Sequence, residues 1–258
     1  MKKADGRETY AAGIAGLFAA VAVFRFDLVL EAGRVTSAIL AGGGTARWLL
    51  LGEIALFCAI LCTTWRVISR SPARPAHDAA VAVAAAALGW AVEAWGTRTG
   101  IWRYYTGETP PLWIVPVWPL GAALVERFAA RASRGPVPAW WYWTAAALAF
   151  AYAAAFVSPW LDRPAGWAGL AGIAAALTAG AKPREEFWTL FLGMVCVFFA
   201  DLWGTTNGCW AYYAHAQPGG VLRGIGFGMA LDAAVVVGAL RLASLGMKFG
   251  KKSPIALQ

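Results

Sequence analysis

Long, uninterrupted apolar runs constrain this chain more than any other feature. Eight can be read: Tyr10–Leu30, Trp48–Ile68, Ala79–Gly96, Leu112–Ala129, Ala139–Ser158, Ala165–Ala181, Phe187–Trp203 and Val221–Leu242. Each is close to the roughly 20 residues that a helix needs to cross the hydrocarbon core of a bilayer. The runs are continuous and do not alternate with a period of two, so helices are expected and a β-barrel is not. With only 14% charged residues in 258, against about 25% in soluble domains, the composition argues against a water-soluble globule. The expected fold is an all-α, polytopic transmembrane helical bundle of about eight spans. The sixth run is short and rich in Gly and Ala, which keeps seven spans as the alternative. The first run has a basic flank without a cleavage-site pattern and reads as an uncleaved signal-anchor helix.

Basic residues set the expected orientation. With eight spans, one side receives 15 Lys and Arg, from the N-terminal segment, the Arg66–Arg74 and Arg127–Arg134 loops, Lys182/Arg184 and the tail from Arg241 to Lys252. The opposite side receives six: Arg34, Arg47, Arg98, Arg103, Arg163 and Arg223. That bias puts both termini in the cytoplasm, of a prokaryotic plasma membrane in this reading, and makes Ser69–His77 and Arg131–Pro138 cytoplasmic linkers. The net charge of +8 is explained by the same loops, so no nucleic-acid partner is expected. Four cysteines without a CxxC pair, and two distant histidines, His77 and His215, offer no metal-site spacing and no disulfide framework.

An internal repeat carries the most information. Glu93–Tyr105 (EAWGTRTGIWRYY) and Asp201–Tyr213 (DLWGTTNGCWAYY) lie 108 residues apart, and seven of thirteen positions are identical. About one identity would arise by chance, so duplication is the natural reading. It divides the chain into two parallel four-helix repeats, residues 1–130 and 131–258, with both motifs on the non-cytoplasmic side. Gly96 and Gly204 are expected to take positive φ and stop their helices, which puts Glu93 and Asp201 in the last helical turn. Gly100 and Gly208 permit a second tight turn. In the W-x-Y that follows, extended backbone sets Trp102 with Tyr104, and Trp210 with Tyr212, on one face.

Two readings of the aromatic residues stay open at this point. Trp95, Trp203, Tyr105 and Tyr213 suit an interfacial belt, which leaves the repeated acids unexplained. A carboxyl group at lipid depth is costly, and a helix C-terminus is an unfavourable place for its charge. A protonated acid and an ionised partner in a dry cavity form a general acid–base pair. Such a pair can protonate an alkene and later remove a proton from the resulting cation, which Trp and Tyr faces stabilise.

The acid–GT–xx–G–x–W–x–Y element resembles motifs of membrane-embedded carotenoid enzymes, namely the heterodimer-type lycopene cyclases and the bisanhydrobacterioruberin-type carotenoid hydratases. The two-acid logic is also similar to that of fungal membrane-bound meroterpenoid cyclases. The resemblance covers the two motif regions, about a third of the chain. It implies a helical bundle that protonates an isoprenoid alkene or epoxide without metal or redox cofactor. Glu93 and Asp201 would then be catalytic, with Trp102, Tyr104, Trp210 and Tyr212 lining the pocket. The lycopene cyclases' Pro-x-Glu-Glu element is replaced here by Pro119-Leu120-Gly121-Ala122, so the resemblance does not extend to lycopene as the substrate.

Further candidates surround this pair. Asp232, inside the last run, is expected either in the site or paired with a cation such as Arg223. Trp113 and Trp118 flank Pro116 and Pro119, which either kink the fourth run or shape a pocket. Arg98 and Arg103 read as interfacial anchors or as ligands of an anionic headgroup or diphosphate. Glu126 is expected to be solvated, and Arg25 with Asp27 to form an ion pair. No DDxxD, Walker A, GxGxxG or HExxH spacing occurs. The partners expected are a hydrophobic isoprenoid substrate and membrane lipid, and no cofactor is called for. A proton-coupled transporter or binding protein for a lipid or hydrophobic solute is the reading from another class, because parallel repeats and buried acids also serve carriers.

Overall fold

A computed structural model describes residues 6–71, 74–133 and 135–250 of the chain. Lys2, Lys3, Lys251 and Lys252 of the basic tally, and Pro72, Ala73 and Arg134 of the two linkers, lie outside the described residues. Among the described residues the protein is all-α apart from two three-residue strands. Among the described residues six helices are long and apolar enough to cross a membrane: Gly44–Ile68, Pro75–Thr99, Leu112–Ala132, Ala139–Trp160, Pro183–Thr206 and Gly220–Met247.

The chain falls into two units, divided after Pro75. The first holds α1 (Gly6–Phe24), α2 (Phe26–Gly42) and α3 (Gly44–Ser69). The single run expected over Tyr10–Leu30 is broken at Arg25, whose backbone leaves helical geometry. Its guanidinium holds Asp27 at 3.0 Å, the ion pair expected from their spacing. α2 buries no residue, and Trp48 and Leu49 of α3 are exposed. An apolar surface left this open within its own unit suits lipid better than water.

The second unit carries α4 (Pro75–Thr99), β1 (Trp102–Tyr104), α5 (Val117–Ala132), α6 (Ala139–Val157), α7 (Pro164–Thr178), α8 (Pro183–Thr206), β2 (Trp210–Tyr212) and α9 (Gly220–Gly250). α7, at 15 residues, is the short helix of the set. The strands pair antiparallel, with Trp102 opposite Tyr212 and Tyr104 opposite Trp210. The ends of α4 and α8 therefore meet at one end of the unit.

Hydrogen bonds fix the remaining directions. Trp160, just past α6, donates to the Thr99 carbonyl, and Trp95 of α4 donates to the Ala165 carbonyl at the start of α7. At the far end Tyr142 of α6 donates to Leu177 O at the end of α7, and Arg241 of α9 holds Glu186 at the start of α8. The six helices thus alternate up and down. α9 is the hub: two-thirds of its apolar core is buried, against less than half in any other spanning candidate, and it packs on α5, α6, α7 and α8.

Two sequence expectations change here. Pro116 is the residue before α5 and Pro119 lies in its first turn, where no helical N–H is required. The run expected from Leu112 is a 3-10 turn over Leu112–Ile114 followed by a separate helix, with no kink in its middle. Glu126, expected to be solvated, is part-buried and bonded to His77 at 2.7 Å. Beside it Arg127 pairs with Asp78 at 3.0 Å, so this end of the unit is closed by buried charge.

Candidate functional site

The two motifs build the site through a shared sequence of local events. A positive-φ glycine follows each helix, Gly100 (φ +78°) after α4 and Gly208 (φ +69°) after α8. In each, the amide of the next residue returns to a carbonyl five residues earlier: Ile101 N–H to Gly96 O at 3.0 Å, and Cys209 N–H to Gly204 O at 2.8 Å. That bond and the positive-φ glycine define a Schellman ending. Gly96 and Gly204, expected to stop the helices, stay helical. Their role is steric: a Cβ at Gly96 would fall 1.8 Å from Cη2 of Trp102, and one at Gly204 1.9 Å from Cη2 of Trp210. Each indole lies on the bare backbone of its own helix.

Because the helices run on by one turn, Glu93 and Asp201 sit deeper than the last turn that the sequence suggested. Both are buried, at 5% and 4% exposure. Glu93 Oε2 accepts the Trp102 indole N–H at 3.1 Å and the Tyr104 hydroxyl at 2.9 Å. Asp201 Oδ2 accepts the Tyr212 hydroxyl at 2.9 Å. The W-x-Y strands do what their period predicts, sending Trp and Tyr to the same side, and their pairing brings both copies over one site. Thr97 and Thr205, the T of each GT pair, donate to the backbone carbonyls of Glu93 and Asp201. Sequence reading assigned these threonines no role, although their spacing of four from each acid was the available signal.

Aromatic rings wall the acids. Trp102 meets Tyr212 edge-on at 6.2 Å between centroids, Tyr104 lies 5.9 Å from Trp210, and Trp113 closes on Tyr104 at 5.2 Å. Trp118 of α5 is buried on α4 against Gly89, one turn before Glu93, and interacts with its carboxyl group. Phe227 of α9 and Phe156 of α6 stack at 4.5 Å behind Tyr212. Neither phenylalanine stood out in the sequence, because only the folded chain brings α6 and α9 behind the strands. Trp95, open to the belt reading, instead packs on Gly169 and bonds Ala165, while Tyr105 is exposed.

Asp232 joins the same site and does not pair with Arg223, whose guanidinium bonds Gln217. Gly228, one turn earlier on α9, has no room for a Cβ because Asp201 Oδ2 and the Tyr212 hydroxyl occupy that space. A Cα–Cβ bond leans toward the helix N-terminus, so Asp232 leans toward them, within electrostatic range of both Asp201 and Glu93. Arg98 and Arg103 are exposed. Among the described residues no cation pairs with any of the three acids, and no group of three or more His, Cys, Asp or Glu is arranged to hold a metal ion.

The phenols lie on the strands, outside the helices. Burial, reinforced by Glu93, pushes the Tyr104 hydroxyl well above the ordinary tyrosine range, and burial with Asp201 does the same to Tyr212. Both are therefore held as O–H donors at and above the pH where an ordinary tyrosine ionises. Phenolate absorbance at about pH 10 should accordingly be the same in wild type and in Tyr104→Phe/Tyr212→Phe. A signal that drops in the double variant would show that one of these phenols ionises normally. No protein-family model matches the chain, and neither a curated protein nor a solved structure does.

Proposed function

We propose that this protein is an integral membrane isoprenoid cyclase that works by carboxylic-acid protonation of an alkene or epoxide. The observation that carries the reading is a group of three acids, Glu93 and Asp201 buried and Asp232 partly covered, free of any paired cation among the described residues and walled by Trp102, Tyr104, Trp210, Tyr212, Trp113 and Trp118. One carboxyl group of this set gives its proton to an alkene carbon, and the π pair forms the new C–H bond. The cation left on the other carbon is attacked by a second double bond, closing the ring. A C–H beside the new cation then loses its proton to a carboxylate, the double bond re-forms, and the product keeps the substrate's mass. Indole and phenol faces stabilise the intermediate cations, and the dry site keeps water from quenching them early.

Supporting the membrane arrangement, the basic residues gather 15 to six on one side of an eight-span topology with both termini cytoplasmic. In that reading the halves 1–130 and 131–258 are parallel repeats whose paired strands close the site from the opposite side. If water takes the cation in place of a second alkene, the same protonation makes the protein a hydratase. If the acids carry protons for a solute, it is a carrier.

Mass spectrometry of products from membranes supplied with linear isoprenoids separates these outcomes. A product of unchanged mass and altered retention is expected from wild type. Glu93→Gln and Asp201→Asn should each lower it by about 10²–10⁴-fold, the usual contribution of a positioned acid or base. A gain of one water would make the enzyme a hydratase. Wild-type membranes that convert no linear isoprenoid would refute the enzyme reading in favour of transport.

A further inference from the structure

The three acids of the site are not equivalent, and their hydrogen bonds distinguish them. Glu93 Oε2 takes two donors, from Trp102 and Tyr104, and Asp201 Oδ2 takes one, from Tyr212. These contacts favour a charged carboxylate. Asp232 accepts no hydrogen bond among the described residues. It is also only partly covered, whereas Glu93 and Asp201 are buried. Its neighbours include two other acids, facing it from α4 and α8, and the two phenols of β1 and β2. The guanidinium groups of Arg127, Arg241 and Arg223 are committed elsewhere, Arg127 to Asp78 and Arg241 to Glu186 at the far end of the unit, and Arg223 to Gln217. A site with three carboxyl groups and no paired cation cannot hold three negative charges in a low-dielectric interior. The proton stays where no donor stabilises the anion.

From this geometry we infer that Asp232 is the carboxylic acid that supplies the proton, while Glu93 and Asp201 are carboxylates that receive it. The inference rests on the cyclase reading above and assigns its donor. Asp232 Oδ–H gives its proton to the substrate alkene and becomes a carboxylate. After ring closure Glu93 or Asp201 takes the proton released from the C–H beside the cation. Transfer of the proton back to Asp232 restores the starting state, with the Tyr212 hydroxyl, bonded to Asp201 at 2.9 Å, as the relay from Asp201. No oxidant or other reactant is consumed. Gly228 keeps the relay short, since any side chain there would displace the Asp201 carboxyl and the Tyr212 hydroxyl.

Infrared spectroscopy of the purified full-length protein tests the assignment without a substrate. A protonated carboxyl group shows a carbonyl stretch that moves in D₂O. That band should be present in wild type, kept in Glu93→Gln and Asp201→Asn, lost in Asp232→Asn and regained in Asp232→Glu. Product formation from linear isoprenoids should fall about 10²–10⁴-fold in Asp232→Asn and recover in part in Asp232→Glu, which a purely structural role for the side chain would not require. Retention of the band in Asp232→Asn, with its loss in Glu93→Gln or Asp201→Asn, would overturn the inference. So would undiminished turnover by Asp232→Asn. Should wild type convert no isoprenoid while the band still disappears in Asp232→Asn, the proton assignment holds and the cyclase reading is the part that fails.

Discussion

Gly96→Ala should cost the protein both stability and activity. The added Cβ would lie within 2.2 Å of three atoms of the Trp102 ring, so the indole must leave the backbone on which it rests. Its N–H then leaves Glu93 Oε2, and β1 shifts against β2. Overpacking of this kind costs about 1–3 kcal/mol, occasionally more. Displacing a donor from the acid is expected to lower turnover by a further 10-fold or more, on the scale of about 1.4 kcal/mol per tenfold. Gly204→Ala should behave alike, since its Cβ would meet Trp210 at 1.9 Å. Gly121→Ala is the internal control: α5 has open space there, and helix propensity favours alanine by about 1 kcal/mol. Unfolding in mixed detergent and product formation read both effects. A Gly96→Ala protein as stable and active as Gly121→Ala would show that the indole is not seated as described.

Arg127→Met should destabilise the second unit by about 3–5 kcal/mol, the usual cost of breaking a buried ion pair from one side. Its guanidinium is 3.0 Å from Asp78, and the two side chains are 6% and 2% exposed. The single change leaves the Asp78 carboxyl buried without its guanidinium. The double variant Arg127→Met/Asp78→Leu should recover most of the loss, because replacing both partners removes the uncompensated charge. Detergent-unfolding midpoints of the two singles and the double give the coupling directly. Equal losses in the single and double variants would mean that packing, and not charge pairing, holds α4 to α5.

Other features show how far local pattern reaches. The break at Arg25 was hidden in the sequence because Tyr10–Leu30 is apolar on both sides of it, and a single residue's backbone angles leave no trace in hydropathy. The ion pair of Arg25 with Asp27 was visible, since two residues of spacing suffice. At the motifs, both glycines of each copy looked able to end a helix. Only the ring that lands on Gly96 or Gly204 tells which glycine is needed for close approach and which for positive φ. Glu126 looked solvated because it adjoins Arg127 at a helix end, while its burial depends on His77, on another helix.

What the amino-acid sequence determined by itself is what depends on spacing along one segment. Hydropathy over about 20 residues specified apolar helices, the 108-residue repeat marked Glu93 and Asp201, and the two-residue period of W-x-Y assigned Trp and Tyr to one side. What the tertiary structure alone decided is which segments meet. The strand pairing that brings both motifs to one site, the choice of Gly96 and Gly204 as seats for indoles, the pairing of Asp78 with Arg127, and the turn of α9 that carries Asp232 to Asp201 all join residues from different elements. Such contacts follow from packing of side-chain volume and from the need to neutralise or share buried charge. Both are properties of the assembled helices and of no single stretch of chain.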